Sequence, residues 1–599
     1  MASDKTSDKK GGSASSKVVS MNPDMDVDFS NPNKAFVHNM AEAYDGWDTN
    51  TETPIIVYLA PPHLLPRLDR IMNYRYAAHT NLLHYKGVGF VRHPDTGKEY
   101  AALAYEQPDF QPVLKTWGGT FPEMSHRQIL EDFLKPLLSA LQKFKDQDFT
   151  HGAVNLRNIF RPDQDATSSD SEAEQGQDAQ VLLGECLSAA ATLQNHVLYE
   201  TVDRAMADSF AKGTGTLKDD LYALGVCVAM LAWQYNPCRE MKDEEILAAK
   251  IENGTFGMLA QPEKVSGDLL EFLRGVLNDD ENERWGFEDI EMWLSGQRLS
   301  PRQPAIFKKA SRPVKFEGQE YLYLKNLIMC LQKTPAKTAA KFLKGGTFLK
   351  WFMNCFSDKN LLGNLETVLE VNKAPLKTDK DMEIFKTQML SAINPEGPSS
   401  YNSHQISVRG FGHALGYQIA HQREINDFVS YINLQLYAIW LNMQINVPTD
   451  AAVIAGKFEQ AKNFVNKKIP GMGIERVLYT FCESAPCLSP LFQDDFVYSP
   501  AQLLAALDRL AAKGKLELPM FDRHMTAFLS VRKPRYIEKH ISLITSNAKD
   551  SQTLGALKVS ATIQSLKMPL QQYHWVIILL IVRPKCWISC ITVSCVKSC

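Results

Sequence analysis

The chain has 599 residues, of which 45% are hydrophobic and 22% charged, and its formal net charge at pH 7 is −3. A chain of this length exceeds what one hydrophobic core can organise, so we expect two to four domains. The small net charge makes a nucleic-acid-binding protein unlikely, although it permits a local basic patch. Eleven cysteines without a single Cys-x-x-Cys pair favour free thiols in a reducing, cytoplasmic setting.

Both ends of the sequence differ in composition from its middle. Residues 1–35 are polar and poor in large apolar side chains, so we predict that this segment is disordered. Residues 570–599 form an apolar tail with four cysteines. Its apolar stretch, 575–582, is far shorter than the ~20 residues of a membrane-spanning helix, so we expect no transmembrane helix. A poorly structured tail is the favoured interpretation, and a membrane anchor or a zinc site is the alternative.

From residue 53 onward the pattern is typical of β-strands. The stretch PIIVYLAPP is a short apolar run ended by two prolines, and RHPDTGKEYAALAYEQ has the pattern of a hairpin with its turn at PDTG. Residues 126–147 then carry apolar side chains at helical spacing. This helix leads directly into THGAVNLRNIF, residues 150–160.

An acidic stretch and a helical region follow. Residues 161–180 contain six acids and no large apolar residue, which predicts a solvated insertion. Within it Thr167, Ser169 and Ser171 each have an acid three residues on, so they are candidate phosphorylation sites. Beyond residue 312 the strand patterns stop and helical patterns continue, which predicts an all-helical domain at 313–548.

Residues 302–350 carry eleven Lys or Arg against two acids. Such a run is either a solvated face or a docking surface for an acidic partner or an anionic surface. A second motif, SVRGFGHALG at 407–416, contains Gly-x-Gly without the preceding buried strand of a dinucleotide-binding loop. We therefore interpret its glycines as positions of close helix packing.

The stretch THGAVNLRNIF resembles the catalytic loop of protein kinases, H-R-D-x-x-x-x-N. His151 and Asn158 have the spacing of the family's His and Asn, while Gly152 and Ala153 stand at the Arg and Asp positions. Four further stretches resemble kinase landmarks in the correct order: HTNLL (79–83), AALAYEQ (101–107), KDDLYALGVCVAMLAW (218–233) and LLEFLRGVLNDDENERWGFEDIEMWLSG (269–296).

This resemblance implies an α+β bilobal protein-kinase-like domain at 45–300, interrupted by the acidic insertion and followed by the all-α domain. Asp220 matches the family residue that holds the backbone of the catalytic loop by hydrogen bonds, and Arg284 matches a buried structural arginine. His151 and Asn158 are expected to brace the loop rather than to bind a ligand.

The same resemblance implies that the chemical groups are missing. The strand that reads V-A-I-K in kinases reads VYLA here, which leaves Ala60 at the position of the ATP-binding Lys. The best match to D-F-G is Gly184-Glu185-Cys186, with glycine at the metal-binding Asp position. No G-x-G-x-x-G loop is present. Because phosphoryl transfer depends on positioning and electrostatic stabilisation by these groups, their combined loss implies little activity.

We therefore expect a pseudokinase that acts as a scaffold or allosteric adaptor for protein partners, without a metal site and with weak ATP or Mg²⁺ binding at best. One alternative is an atypical serine/threonine kinase or nucleotide transferase that uses non-standard residues such as Glu185. The other is a structural or interaction protein whose function lies in the helical half.

Overall fold

The computed structural model describes residues 17–567, apart from 38–39, 163–180, 260–266, 300–306, 308, 357 and 518. Its architecture is α+β over the first half of the chain and helical over the second. The three candidate phosphorylation sites and the cysteine-rich tail lie outside the described residues.

The first half opens with a six-stranded antiparallel sheet. Its strands are β1 (Val18–Asn22), β2 (Met25–Pro32), β3 (Glu42–Asp48), β4 (Thr53–Ala60), β5 (Tyr85–Arg92) and β6 (Glu99–Glu106). They lie in the order β1-β2-β3-β4-β6-β5. The inner strand β4 is buried on both faces: Ile56, Tyr58 and Ala60 belong to the main core, while Ile55 and Val57 pack into a smaller core under β1 and β2. An apolar run without polar interruptions is typical of such a strand.

The disorder predicted for residues 1–35 is wrong from residue 18 onward, because this stretch forms β1 and β2. In β2 the apolar residues Met25, Val27 and Phe29 alternate with aspartates, and every second side chain is buried. The low overall hydrophobicity concealed this period of two. The edges of the sheet also approach each other, since a Cβ added to Gly89 of β5 would lie 2.2 Å from the backbone oxygen of Met21 in β1.

A small three-stranded sheet and nine helices complete the described residues of the first half. The strands are β7 (Phe110–Pro112), β8 (Ile159–Pro162) and β9 (Leu182–Leu183). The helices are α1 (Ile71–Tyr76), α2 (His126–Gln128), α3 (Lys135–Asp146), α4 (Val202–Ala205), α5 (Leu217–Trp233), α6 (Asp243–Asn253), α7 (Thr255–Leu259), α8 (Gly267–Val276) and α9 (Phe287–Leu294). A π-helical turn, Ile129–Leu134, joins α2 to α3. Helix α5 is the central one, because every residue from 220 to 231 is buried.

The second half is helical but also contains two short hairpins. The hairpins are β10 (Lys309–Phe316) with β11 (Gln319–Tyr323), and β12 (Ser399–Tyr401) with β13 (His404–Ile406). The longer helices are α10 (Leu324–Lys333), α11 (Ala336–Lys344), α12 (Gly346–Cys355), α13 (Lys359–Val371), α14 (Asp379–Ile393), α15 (Phe411–Ala420), α16 (Asn426–Asn433), α17 (Leu436–Met443), α18 (Ala451–Lys462), α19 (Ile474–Phe481), α20 (Pro500–Ala512) and α21 (Arg523–Arg532). The last three are α22 (Pro534–Ile537), α23 (Ile541–Ile544) and α24 (Lys549–Lys567).

Two expectations for this half are corrected. Strands do not stop at residue 312, because β10 spans it and β11, β12 and β13 follow it. Their hairpins were missed because β11, β12 and β13 are short. The helices also continue past residue 548. Helix α24 buries Ala556, Val559 and Ile563 in the core of the second half, so it is an integral part of that core.

The two halves share their hydrophobic cores. The core around α10–α14 also contains Val202, Met206, Leu247 and Ile251 from the first half. The core around α15–α24 likewise contains Leu65, Ala190 and Ala211. Because apolar side chains of both halves are removed from water together, the halves stabilise each other.

Two further properties bear on function. Within the described residues, no helix combines the length and the apolar character needed to cross a membrane. The seven cysteines that the structure describes are all free thiols.

An ionic network ties the sheet to the second half. Asp495, which is 7% exposed, lies 2.6 Å from the Arg92 guanidinium of β5 and 2.8 Å from that of Arg509 in α20. Arg509 also contacts Glu99 of β6 at 3.2 Å, and the Glu99 carboxylate accepts the backbone N–H of Phe496 at 3.0 Å. One buried carboxylate therefore serves two arginines from distant parts of the chain.

We expect Asp495→Ala to lower the free energy of unfolding by about 2 kcal/mol, because two partly exposed arginines lose their shared acceptor. Urea denaturation measures the change. Glu106→Ala is the matched control, since Glu106 is half exposed and its ion-pair partners among the described residues are His84 and Lys86. Its effect should stay within about 0.5 kcal/mol. Equal losses for the two variants would contradict the role given to Asp495.

Candidate functional site

The loop that joins α3 to β8 contains the kinase-like motif, and a carboxylate from α5 holds it in place. Asp220 accepts the backbone N–H of His151 at 2.8 Å and that of Gly152 at 2.7 Å. Gly152 has φ +73°, and a Cβ there would lie 2.8 Å from the Cβ of Ala191. The left-handed conformation and the close contact both require glycine at the position where kinases have arginine.

His151 connects this loop to the segment that contains Gly184. Its Nδ1 accepts the backbone N–H of Ala153 at 3.2 Å, so the other ring nitrogen carries the proton. That Nε2–H donates to the carbonyl oxygen of Gly184 at 3.1 Å. The ring is fully buried and stacks edge-on against Phe144 of α3. His151 therefore has a bracing role in this structure.

Asn158 makes the second connection between the same two segments. Its side-chain amide donates to the carbonyl oxygens of Ala153 at 2.9 Å and Glu185 at 2.8 Å. Its Oδ1 is buried without a hydrogen-bond partner among the described residues and lies against Gly184. A Cβ on Gly184 would be 1.9 Å from this oxygen. Asn158 thus occupies the space that an Asp side chain at position 184 would need.

Glu185 is buried and holds its own turn together. One carboxylate oxygen accepts the backbone N–H groups of Leu187 at 2.7 Å and Ser188 at 2.9 Å, and the other accepts the hydroxyl of Ser188. These bonds satisfy a buried charge with local donors, as burial requires. The carboxylate is therefore a structural acceptor of the turn.

The donors at this site do not fit Mg²⁺, the metal that the kinase resemblance implies. Magnesium takes oxygen ligands in nearly ideal octahedral geometry. Here Ala153 and Gly184 offer no side-chain oxygen, and the carboxylate of Glu185 is already bonded to its turn. The unpartnered Oδ1 of Asn158 would supply a single neutral ligand to an ion that takes six. Among the described residues, no group of three His, Cys, Asp or Glu side chains could hold a metal ion.

The phenyl ring of Phe36 lies between β4, which carries Ala60, and β8, which follows the loop. Phe36 is 3% exposed, and its ring stacks on Phe160 of β8 with centroids 4.8 Å apart. Its carbonyl oxygen accepts the hydroxyl of Tyr58 in β4 at 3.0 Å. Ala60 is itself buried and pairs with Ala101 in the sheet. Phe36 thus packs in the same hydrophobic core as Tyr58, Ala60 and Phe160.

Of four surface grooves, of about 540, 700, 960 and 520 Å³, three share no lining residue with the loop, whereas Arg67, Phe149 and Thr150 line the groove of 960 Å³. None of these four is lined by Phe36, Ala60, Asn158 or Gly184. Ligand sites are usually concave cavities of such volumes, so these four grooves, one of which borders the loop at Thr150, are candidates for binding.

Sequence analysis missed Arg67, which also fixes the loop. Its guanidinium donates to the carbonyl oxygens of His151 and Thr150, each at 2.8 Å, and lies over the ring of Phe149 at 4.3 Å. Burial lowers its pKa. Arg67 lies in a proline- and leucine-rich connection 83 residues before Thr150, and no local pattern in the sequence indicates this contact.

Arg284 is buried in the first half, as its match to the family implies. Its Nε donates to the carbonyl oxygen of Asn278 at 2.7 Å, and its guanidinium lies 5.3 Å from the ring of Tyr222 in α5. The nearest carboxylate oxygen with which it pairs, on Asp219, is 3.8 Å away. These contacts join the loop before α9 to α5 and are structural.

The segment that follows α4 is covered by the second half. The backbone N–H of Asp208 donates to the carbonyl oxygen of Gln405 at 2.9 Å, and the Gln405 N–H donates back to the Asp208 carboxylate at 3.0 Å. The N–H of Ser407 donates to the carbonyl oxygen of Ala211 at 3.1 Å. Strand β13 and its continuation therefore run along this segment.

The packing of this contact is close. The ring of Phe210 stacks on Tyr417 of α15 with centroids 4.7 Å apart and an interplanar angle of 1°. A Cβ on Gly410 would lie 2.0 Å from the backbone oxygen of Ala211. The first glycine of the Gly-x-Gly motif thus permits backbone-to-backbone packing, as interpreted from the sequence.

We expect Gly184→Asp to fail to create a metal site and to lower the free energy of unfolding by about 3 kcal/mol, because its side chain overlaps Asn158. Urea denaturation with and without Mg²⁺ measures both effects. The matched control is Gly363→Asp in α13, where a Cβ meets nothing within 4 Å, and its effect should be within about 0.5 kcal/mol. A Mg²⁺-dependent gain in stability for Gly184→Asp alone would refute this account.

Asp220 gives a pH-dependent prediction. Burial raises its pKa to about 7, against the opposing effect of the hydrogen bonds from Gly152 and His151. Between the unfolded pKa of about 3.9 and this value, the folded state binds more protons than the unfolded chain. The contribution of Asp220 to stability therefore falls as pH rises through this window.

Asp220→Asn removes this titration. The stability of the variant relative to the wild type should therefore improve between about pH 4.5 and pH 7.5. Urea denaturation of both proteins at the two pH values tests this expectation. A constant difference, or one that changes in the opposite direction, would show that the burial of Asp220 does not govern its titration.

No protein-family model matches the chain, and no curated protein sequence matches it either. The contacts of the loop residues are therefore the basis for a function. In those contacts Asp220, His151 and Asn158 brace the loop, while Gly184 and Glu185 are engaged in packing and in a turn.

Proposed function

We propose that this chain is a pseudokinase: a degenerate protein-kinase-like domain at 45–300, joined to a helical half, that serves as a scaffold or adaptor for protein partners in the cytoplasm. The free thiols of the described cysteines are typical of a reducing compartment. In this proposal the first half contributes a rigid framework rather than phosphotransfer.

The observation that carries the proposal is the buried ring of Phe36. It stacks on Phe160 of β8 and belongs to the same hydrophobic core as Ala60 of β4 and Ala153 of the loop. In a kinase the ATP-binding Lys and the catalytic Asp act on a nucleotide in this region. Here Ala60 and Ala153 stand at those positions, so both the room and the charges for a nucleotide are lost together.

The framework contacts support descent from a kinase-like fold. Strands, then a long helix, then the loop, follow the order expected for that fold. The carboxylate of Asp220 accepts two backbone N–H groups of the loop, which is the role that its match implies. A catalytic loop that has lost its acid but kept its backbone supports is what a pseudokinase requires.

The coverage of residues 208–211 by β13 and α15 supports a scaffold in a second way. These residues exchange backbone hydrogen bonds with Gln405 and Ser407, and Phe210 is stacked on Tyr417. A segment whose backbone is hydrogen-bonded to β13 and its continuation, and whose aromatic ring is stacked on α15, is not available to bind a peptide substrate. The outer surfaces of the helical half are therefore the places for partners.

The atypical-kinase alternative is less well supported because Glu185, its substitute acid, is engaged by Leu187 and Ser188. The alternative that function lies in the helical half alone differs from our proposal only in the role of the first half. The shared cores and the Asp495 network favour a first half that orients the second.

The test is a thermal-shift titration of the full chain with millimolar ATP, with and without Mg²⁺ or Mn²⁺, beside an active protein kinase as a positive control. We expect no shift for this chain. A ligand at 100 times its Kd would stabilise the folded state by about 2.7 kcal/mol, so binding would be detected. A metal-dependent shift would overturn the proposal and favour the atypical kinase.

Phe36→Ala separates the steric from the electrostatic obstacle. The variant should have a lower Tm, because removal of a buried phenyl ring costs about 3–5 kcal/mol. It should still show no ATP-dependent shift, since the charges at positions 60 and 153 remain absent. An ATP-dependent shift in this variant would mean that Phe36 alone excludes the nucleotide.

A further inference from the structure

In the described part of the basic region at 302–350, some lysines form ion pairs within the protein and others do not. Lys315 pairs with Glu320 at 3.1 Å, Lys325 pairs with Asp203 of α4, and Lys333 pairs with Glu244 of α6. These lysines connect elements of the protein to each other. Helix α11 differs, because neither Lys337 nor Lys341 forms an ion pair with any described residue, and both are exposed.

A groove of about 520 Å³ lies beside α11. Its apolar surface comes from Ala340 of α11, Pro375 and Leu376 of the loop between α13 and α14, and Met382 of α14. Four lysines surround it, namely Lys337, Lys341, Lys344 and Lys373. Among the described residues that line the groove, none is acidic. An apolar surface surrounded by positive charges is complementary to an amphipathic ligand with negative charges.

The spacing of the lysines is regular. Lys337, Lys341 and Lys344 are related by four and three residues, so they share one face of α11. At 1.5 Å per residue they lie about 6 Å and 4.5 Å apart along the helix axis. Carboxylates on successive turns of a second helix, about 5.4 Å apart, match this spacing.

Two of the four lysines, Lys344 and Lys373, already contact other groups of the protein. Lys344 donates to the carbonyl oxygens of Asn372 at 2.7 Å and Ala374 at 2.6 Å, so its ammonium is fixed at the rim before a partner arrives. Lys373 pairs with Glu370, but both side chains are about 70% exposed. Such an exposed pair contributes little and can be exchanged for a partner's carboxylate.

We propose that this groove binds an acidic amphipathic helix of a partner protein, whose apolar side chains contact Leu376 and Met382 and whose carboxylates meet Lys337, Lys341 and Lys344. Recognition of a helix by an apolar groove uses anchors at such i, i+4, i+7 positions. The lysines set the charge specificity, and the apolar surface supplies the area removed from water.

A peptide fits the groove better than a membrane does. Leu376 and Met382 are half-buried, whereas Lys337 and Lys341 beside them are exposed. A flat lipid surface would meet the lysines first, and the apolar residues would not protrude into it. Amphipathic elements that bind membranes instead present their apolar face outward. Side chains of a helix can reach between the lysines.

This inference goes beyond the proposed function and does not depend on it, because the groove belongs to α11, α14 and their connection. A helix could bind here whether or not the first half binds nucleotide. The thermal-shift experiment and the binding experiment below therefore fail independently.

The test uses the full chain and three synthetic 18-residue helical peptides that combine Leu with Glu pairs spaced three, four or seven residues apart. Fluorescence anisotropy measures their binding at low salt. We expect at least one peptide to bind, with binding weakened more than tenfold when its Glu residues are replaced by Gln. The double variant Lys337→Glu, Lys341→Glu should weaken binding by a similar factor.

The matched control is Lys350→Glu, Lys359→Glu, which makes the same change in net charge on α12 and α13, outside the groove. Its binding should remain within about threefold of the wild type, which the general charge effect allows. Three results would overturn the proposal: no binding by any peptide at 0.5 mM, equal losses for the two double variants, or binding to phosphatidylserine vesicles without binding to a peptide.

Discussion

The carboxylate of Asp220 is the point on which the candidate site depends. It projects from α5, whose residues are buried from 220 to 231, and it accepts the backbone N–H groups of His151 and Gly152. Burial raises the pKa of this group to about 7, so the protein keeps an acid in a place where its charged form is disfavoured. Those two hydrogen bonds fix the loop backbone. The side chains of His151 and Asn158 then link the loop to the segment around Gly184 by further hydrogen bonds.

At the positions that resemble the chemical groups of a kinase, the residues of this protein are engaged in packing and in local hydrogen bonds. Where a kinase has a metal-binding Asp, Gly184 lies directly against Asn158, and where a substitute acid is available, Glu185 is bonded to its own turn. Phe36 stacks on Phe160 in the core that also contains Ala60 and Ala153. A catalytic site keeps open volume and unsatisfied charge, both of which cost stability. In this region Gly184 instead packs against Asn158, and the Glu185 carboxylate is bonded within its own turn.

The sequence predicted those features that depend on local pattern, and it failed on those that depend on distant contacts. The long helices were predicted because a run such as KDDLYALGVCVAMLAW contains an uninterrupted apolar stretch longer than a typical strand. The β1–β2 hairpin was missed because composition outweighed its alternation of apolar residues with aspartate. The roles of Arg67 and Phe36 could not be found, since each reaches a partner more than 80 residues away through one side chain.

The ionic junction at Asp495 also has a consequence for biosynthesis. Arg92 and Asp494, which share a hydrogen bond in this junction, are 402 residues apart in the chain. At about 5–20 residues per second, the ribosome would complete the partner region roughly 20–80 s after the β5–β6 hairpin emerges. During that interval, the surfaces of the first half that later join the shared cores, including Leu65, Ala190 and Ala211, have no covering. The first half is thus translated as an incomplete unit, and exposed apolar surface of this kind is what chaperones bind.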